Sequence, residues 1–409
     1  MAMKQQFLLL GLFFSTFLFG AELPVIYSES PLDEVKVSAT GKLLIADSPG
    51  TKNNAGVPRD SLAGRLAVNG KEFHWAPSPL TSRVTGGADL LSAVLSGDET
   101  VLLLIERVGG AGKVNSTRLI LFSPRNRKII RAVTLANRRI SDAVFVPGTN
   151  QIAAVQQAQK EFNQGDAVLR IDLRSGRILA QSPAADGKIL SLVCSNTKIW
   201  YTVSGKSHIY EQQTDALLKS PQKIRTQVAM PRLSVSPDGN TLIVFGQKQV
   251  ELFNVSCDCK TTLRSQYQLE GNFSPTEALA VSDDGTQLLL IESGKQAVLL
   301  RNGIPAPLSE KPAGFQAFFK KDNILLLGLL KHNAIARFDL PNTTPFGRPV
   351  VPGKLKPLTR NITWKMFALS ARTPQALLVD NRGNITQLEV TKRRWKKSNL
   401  LVVDKTGMK

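Results

Sequence analysis

The chain is short of cysteine, of histidine and of long hydrophobic runs, and each shortage closes off a class of protein. Three cysteines in 409 residues, Cys194, Cys257 and Cys259, are too few for a disulfide framework, so the core must be held by burial alone. Cys257-Asp-Cys259 carries half the donors of a zinc site, but no second cysteine pair follows and His74, His208 and His332 are far apart in sequence. No metal and no cofactor are therefore expected. A bond between Cys257 and Cys259 would require a bent backbone, because residues two apart on an extended strand lie near or beyond the usual Cα limit for a disulfide. Covalent haem needs Cys-x-x-Cys-His, and that motif does not occur.

The one long apolar run, Phe7 to Phe19, follows Lys4 and is followed by Gly20-Ala21 and Glu22-Leu-Pro24. At about 13 residues it is short of the roughly 20 that span a bilayer, so residues 1–21 are expected to be a cleaved signal peptide rather than an anchor. No cysteine follows it to accept a lipid. Residues 22–409 are then expected in the periplasm or outside the cell, with no transmembrane segment after cleavage and no genomic nucleic acid as partner. Acid is also scarce: 32 Asp and Glu stand against 52 Lys and Arg, a formal net charge of +20. In an exported compartment this points to an anionic envelope polymer, lipid headgroups or a protein as partner.

What is present is a repeat. Leu233-Ser-Val-Ser-Pro-Asp-Gly-Asn240, followed by Thr241 to Phe245 and Val250 to Asn254, reads as strand, tight turn, strand, short loop, strand. Pro presets φ, Asp bonds its own backbone and Gly tolerates positive φ, while the flanks are β-branched or large and apolar. Equivalent positions fall at Ser38, Ser96, Val146, Cys194, Ser236, Ser282, Lys320 and Ser370, spaced by 58, 50, 48, 42, 46, 38 and 50 residues. A period of about 40 to 50 residues, with third strands such as Val168 to Asp172 and fourth strands such as Lys128 to Leu135, predicts four-stranded antiparallel units that bury one another's faces.

The runs Leu233 to Phe253 and Leu279 to Leu299 resemble the YVTN-type, WD40-like β-propeller repeat. Gly-His and Trp-Asp pairs of true WD40 repeats do not accompany the four tryptophans. The resemblance implies an all-β propeller of four-stranded antiparallel blades, seven in the favoured reading and eight in the alternative, forming a single domain over residues 22–409. Residues 49–85, polar and rich in Gly, Pro and Ser, are an irregular insertion or a ring-closing segment whose strand Arg65 to Val68 would complete the last blade.

Relatives with such repeats include lactone hydrolases, amine dehydrogenase heavy chains and binding scaffolds, so the fold alone does not choose. His208 and His332 lie in or near loops and read as solvent-exposed, and Asp238, Asp283 and Asp284 sit in the repeat's own turns, where Asp bonds backbone. Val108-Gly-Gly-Ala-Gly112 lacks the Gly-Lys-Ser/Thr ending of a phosphate cradle. No catalytic residue is assigned. The candidate binding residues are Lys392, Arg393, Arg394, Trp395, Lys396 and Lys397, a cationic run with one aromatic able to stack or enter an interface. Arg125, Arg127, Lys128, Arg131, Arg138 and Arg139 add charge at other strand ends. The favoured function is a non-enzymatic exported binding scaffold for a protein or an anionic envelope ligand. The alternative is a propeller-type hydrolase, lactonase-like, or an oxidoreductase subunit with its site on the central axis.

Overall fold

The computed structural model describes residues 35–36, 44–45, 65–68, 71–74, 88–96, 100–108, 116–123, 128–236, 238–255, 260–282, 285–292, 295–301, 303–307, 312–319, 324–329, 334–339, 356–357, 366–369, 375–379, 385–390 and 395–401. The expected signal peptide lies outside these residues. Two short hairpins come first: β1 (Val35–Lys36) pairs with β2 (Leu44–Ile45), and β3 (Arg65–Val68) pairs with β4 (Lys71–His74).

From Ala88 the strands fall into seven antiparallel sheets of four, each with its strands in sequence order. The first holds β5 (Ala88–Leu95), β6 (Leu102–Val108), β7 (Ser116–Ser123) and β8 (Lys128–Leu135). The second holds β9 (Arg139–Phe145), β10 (Gln151–Gln157), β11 (Ala167–Asp172) and β12 (Ile178–Gln181). The third holds β13 (Ile189–Cys194), β14 (Lys198–Val203), β15 (His208–Gln213) and β16 (Gln222–Arg225). The fourth, built on the Ser-Pro-Asp-Gly repeat, holds β17 (Ala229–Val235), β18 (Thr241–Gln247), β19 (Gln249–Val255) and β20 (Thr261–Gln268). The fifth holds β21 (Glu277–Ala280), β22 (Gln287–Glu292), β23 (Gln296–Arg301) and β24 (Ile304–Pro307). The sixth holds β25 (Pro312–Phe319), β26 (Ile324–Leu329), β27 (Ala334–Asp339) and β28 (Lys356–Pro357). The seventh holds β29 (Met366–Leu369), β30 (Gln375–Val379), β31 (Ile385–Val390) and β32 (Trp395–Leu401). First strands of successive sheets adjoin, from β5 through β9, β13, β17, β21 and β25 to β29, and β1 lies beside β29.

The first five sheets hold together because the described side chains of their second and third strands are buried on both faces, alternating between the two neighbouring sheets. Ile152 and Ala154 of β10 pack with Leu103 and Leu119 of the first sheet. The intervening Ala153 and Val155 pack with Leu192, Ile199 and Tyr201 of the third. Trp200, pointing the other way from Ile199 and Tyr201, joins Leu242, Val244 and Phe253 of the fourth. This is why those strands read as continuous apolar runs rather than as alternating ones.

Buried polar side chains fix the short connectors between sheets. Thr117 Oγ1 accepts from the Ile140 N–H at 2.9 Å and donates to the Arg138 carbonyl at 2.9 Å. Asp166 accepts from the Ile189 N–H at 3.0 Å, and Glu251 from the Gln227 N–H at 3.0 Å and from Thr226 Oγ1 at 2.6 Å. Glu292 accepts from the Ser274 N–H at 3.2 Å. Each of these carboxyl groups satisfies a backbone donor of its connector.

The turn serine of the repeat has a specific job. Ser96 Oγ accepts from the Val101 N–H at 3.0 Å, Ser236 Oγ from the Thr241 N–H at 2.9 Å and Ser282 Oγ from the Gln287 N–H at 3.0 Å. In the third sheet the equivalent is Ser195, not Cys194. Its turn is shorter, with the Ser195 N–H bonded to the Lys198 carbonyl and Ser195 Oγ accepting from the Lys198 N–H at 3.2 Å. In the second sheet Val146 has no hydroxyl, and Thr149 Oγ1 accepts from the Gln151 N–H at 3.1 Å instead.

Candidate functional site

An even number of antiparallel strands returns the chain to the end of the sheet at which it entered, and short connectors start the next sheet there. All turns between third and fourth strands therefore lie at the opposite end of the assembly, on its periphery. Each fourth strand ends the strand order of its sheet and is exposed along one edge. Basic residues gather on these strands: Lys128 and Arg131 in β8, Lys223 and Arg225 in β16, Arg264 in β20, Lys356 in β28, and Lys396 and Lys397 in β32. Among the described residues none of the fourth strands of these seven sheets holds an Asp or a Glu. The described turns that lead into them add Arg174 and Arg177 and Lys219; Arg125, Arg127 and Lys392 to Arg394 fall between third and fourth strands in sequence and lie outside the described residues.

Local structure keeps several of these cations outward. Arg131, exposed, donates from its guanidinium to the carbonyl of Arg174, so the first and second sheets share one basic rim. Lys223 Nζ stands 5.9 Å from the centroid of Tyr210, which stacks on Tyr201 at 5.2 Å. Burial, and then the neighbouring Tyr210, push the Tyr201 phenol up to about 12. The Asp172 carboxylate, which opens the turn to β12, accepts from the side chain and N–H of Ser175, and these bonds hold it below the usual carboxylate range.

β-Bulges shape the same rim. Near the turn end of their strands, Ile130 in β8, Leu179 in β12 and Arg264 in β20 are each the extra residue in the ladder with the third strand. A bulge bends its strand and re-aims the side chain, and Ile130 and Leu179 are 55% and 42% exposed. First strands are bulged too, at the other end of the sheets. Leu91, Ser141 and Leu190 are unpaired extra residues there, and in β17 Met230 and Pro231 together face Gly246. A Cβ on Gly246 would sit 2.4 Å from the Ala229 carbonyl oxygen, so this strand position admits only glycine. Sequence reading missed the bulges; Gly246 inside an apolar strand was the one signal of a close backbone approach.

Half of the predicted binding run falls within a described fourth strand. Lys392, Arg393 and Arg394 lie between β31 and β32, outside the described residues. Trp395, Lys396 and Lys397 open β32, the edge strand of the seventh sheet, in register with Val390, Glu389 and Leu388. The other sequence candidates are dispersed. Arg138 is drawn inward to Gln181 at 3.1 Å and to Gln156, and burial lowers its pKa. Asp238 accepts from Asn240 N–H at 2.9 Å and from Ser236, the turn role expected of it. His208 opens β15 opposite Arg225, whereas His332, Asp283, Asp284, Cys257 and Cys259 lie outside the described residues, as do residues 109–112 of the Gly-rich loop. Cys194 donates to the Phe145 carbonyl at 3.0 Å, and burial pushes its thiol up to about 12. Among the described residues no group of three His, Cys, Asp or Glu could hold a metal ion.

Solved structures resemble this arrangement over nearly its whole extent. The C-terminal WD40 domain of Sif2 superposes with a TM-score of 0.60 at 10% identity, covering 90% of this chain and 99% of that one. The fold is a WD40-like β-propeller. Hsv2 from Kluyveromyces lactis (TM-score 0.51, 11% identity, 77% of this chain and 100% of that one) is a further likeness. The β-propeller domain of Cps50 (Swd1) from Myceliophteria thermophila is another, with a TM-score of 0.50 at 12% identity, covering 78% of this chain and 99% of that one. No family model matches the chain, and no curated protein matches it. In propeller terms each four-stranded sheet is a blade, first strands line the axis, and the basic fourth strands form the outer rim.

Proposed function

We propose that the protein is an exported, non-enzymatic β-propeller scaffold that binds an anionic envelope ligand through its outer rim. The observation that carries this reading is the charge sorting of the fourth strands, which hold Lys and Arg in five blades and no carboxylate in any. Cations on an edge strand also block edge-to-edge pairing, but that need does not extend to the cations in the adjoining turns. Clustered cations raise the local concentration of an anionic partner and act additively near its surface. Lys392 to Lys397 is the densest stretch of the rim. Export is proposed from Phe7 to Ala21 and supplies the setting in which envelope polyanions are the abundant ligands.

The test is to replace Lys392, Arg393, Arg394, Lys396 and Lys397 by Ser and to measure binding to the native envelope fraction across a salt series. Weaker binding with a flatter salt dependence is the expected outcome. Unchanged affinity and unchanged salt dependence would show that the run serves solubility alone.

A further inference from the structure

Seven large apolar side chains are more than a third exposed among the described residues: Ile130, Leu179, Leu190, Leu218, Met230, Leu263 and Ile304. Single exposed apolar residues are ordinary on protein surfaces. Their placement here is not scattered. Five of them fall one to a blade on five consecutive blades, and all five lie at the same end. Ile130, Leu179, Leu263 and Ile304 are within the first three residues of β8, β12, β20 and β24, and Leu218 is in the turn that leads into β16. Four of the five have a cation close by in sequence, exposed like themselves: Arg131 beside Ile130, Arg177 two residues before Leu179, Lys219 beside Leu218 and Arg264 beside Leu263. Trp395 takes the same place in the seventh blade as Ile304 in the fifth, the first position of the fourth strand, and Lys396 follows it.

We propose that this end of the ring docks on the surface of an anionic lipid bilayer, with one apolar side chain per blade entering the headgroup layer between cations that meet lipid phosphates. The proposal rests on the reading of the rim as an anion-binding surface and names its ligand. Three arguments select lipid. The apolar side chains are aliphatic in all five described blades, and an acidic polysaccharide has no acyl region in which to bury them. They stand on separate blades with cations between, whereas a protein partner would be met by a contiguous, desolvated apolar centre. A fluid interface accepts separated insertions, and its affinity grows with both buried apolar area and attraction to anionic headgroups. The described rim turns hold two carboxylates, Asp172, which is bonded to Ser175, and Asp215, exposed three residues before Leu218. The turns between first and second strands, at the same end, include the exposed carboxylate of Asp238. They lie about two strand spacings, roughly 10 Å, closer to the axis, beyond the Debye length of about 8 Å at physiological salt.

The experiment uses sedimentation of the mature chain with phosphatidylglycerol–phosphatidylethanolamine vesicles, phosphatidylcholine vesicles as the neutral control, and salt elution from heparin as a polyanion without acyl chains. The probe variant is Ile130→Ser, Leu218→Ser, Leu263→Ser. The control variant is Leu190→Ser, Met230→Ser, at the opposite end of the blades. Binding of the wild type to the anionic vesicles, at least about tenfold weakened in the probe variant and unchanged in the control variant, with heparin elution at the same salt for all three, supports the proposal. Vesicle binding equal in wild type and probe variant overturns lipid insertion and leaves the basic rim standing. Heparin binding without vesicle binding overturns it in favour of a polymer ligand. Equal loss in the control variant overturns the assignment to this end, and a wild type that binds neither probe overturns the rim reading as well.

Discussion

A buried ion pair of the third blade reaches the fourth through Thr261, and removing both partners should cost less than the two single removals added together. Lys198 Nζ donates to Glu211 Oε1 at 3.0 Å and to Thr261 Oγ1 at 3.2 Å. Glu211 Oε2 accepts from Trp200 Nε1 at 2.6 Å and from the Thr261 hydroxyl. Lys198 is 1% and Glu211 4% exposed, with Trp200 wholly buried, so neither charge can recover its hydration if its partner is lost. Lys198→Met keeps the volume but strands a carboxylate, and Glu211→Leu strands an ammonium; each should destabilise by about 3–5 kcal/mol. The double variant removes both charges and leaves the Trp200 N–H and the Thr261 hydroxyl unsatisfied, each a loss of about 1–3 kcal/mol. The double-mutant cycle should then show a favourable coupling of several kcal/mol, read from urea midpoints at constant m-value. If Lys198→Met shifts the midpoint by less than the equivalent of about 1 kcal/mol, the range of an exposed pair, the reasoning from burial is wrong.

Three further outcomes are expected. Ser236→Ala removes the acceptor of the Thr241 N–H at the buried base of its turn and should cost about 1 kcal/mol; Ser282→Ala, in the next blade, should cost a similar amount in an unfolding midpoint. In a Cys257→Ser, Cys259→Ser background, Cys194 should resist a thiol reagent at pH 8 in the folded protein and react on unfolding, because burial pushes its pKa up to about 12; rapid labelling of the native protein would contradict this. Asp172 should titrate below its ordinary value of 3.8. A depressed folded pKa contributes stability that is present above 3.8 and is lost as pH falls through the lower folded value. In a carboxyl NMR titration Ser175→Ala, which deletes the side-chain bond that is the largest cause, should move the midpoint back up.

Seven of the eight turn positions read from the sequence, Ser38 to Ser370, lie between two strands that pair as a hairpin, the eighth, Cys194, being the last residue of β13, and β8 was predicted to the residue. This was legible because turn chemistry is local: Ser, Pro, Asp and Gly act through bonds within five residues. Blade assembly was legible in kind, since strands buried on both faces must be apolar throughout. The one-residue slip between Cys194 and Ser195 came from a shorter turn that spacing alone cannot detect. Arg65–Val68, offered as a strand for the last blade, pairs with Lys71–His74. The bulges were not legible because they depend on how a strand bends against its neighbours, and of the cations on fourth strands the sequence singled out chiefly Lys396 and Lys397, through the density of charge around them. Seeing that Arg264 or Lys223 belongs to the same surface requires knowing that both stand on a fourth strand.

The same packing explains why the surface is more basic than the sequence total suggests. Every connector between blades from Leu135 to Glu277 needs acceptors for buried backbone N–H groups, and in three of the four the acceptor is a carboxylate: Asp166, Glu251 or Glu292. Glu211 is also held inside, by the side chains of Lys198, Trp200 and Thr261 rather than by backbone. A carboxylate can accept from two or more donors at once and is favoured there, whereas a lysine or arginine offers only donors. Described cations enter the interior less often, with Lys198 and Arg118 as the buried examples. Acid is thus drawn into the junctions and base is left outside, on the fourth strands that no following strand covers. The cationic rim follows from how this sequence closes one blade onto the next, and in the docking proposed above the apolar side chains that share it supply the contact that salt does not weaken.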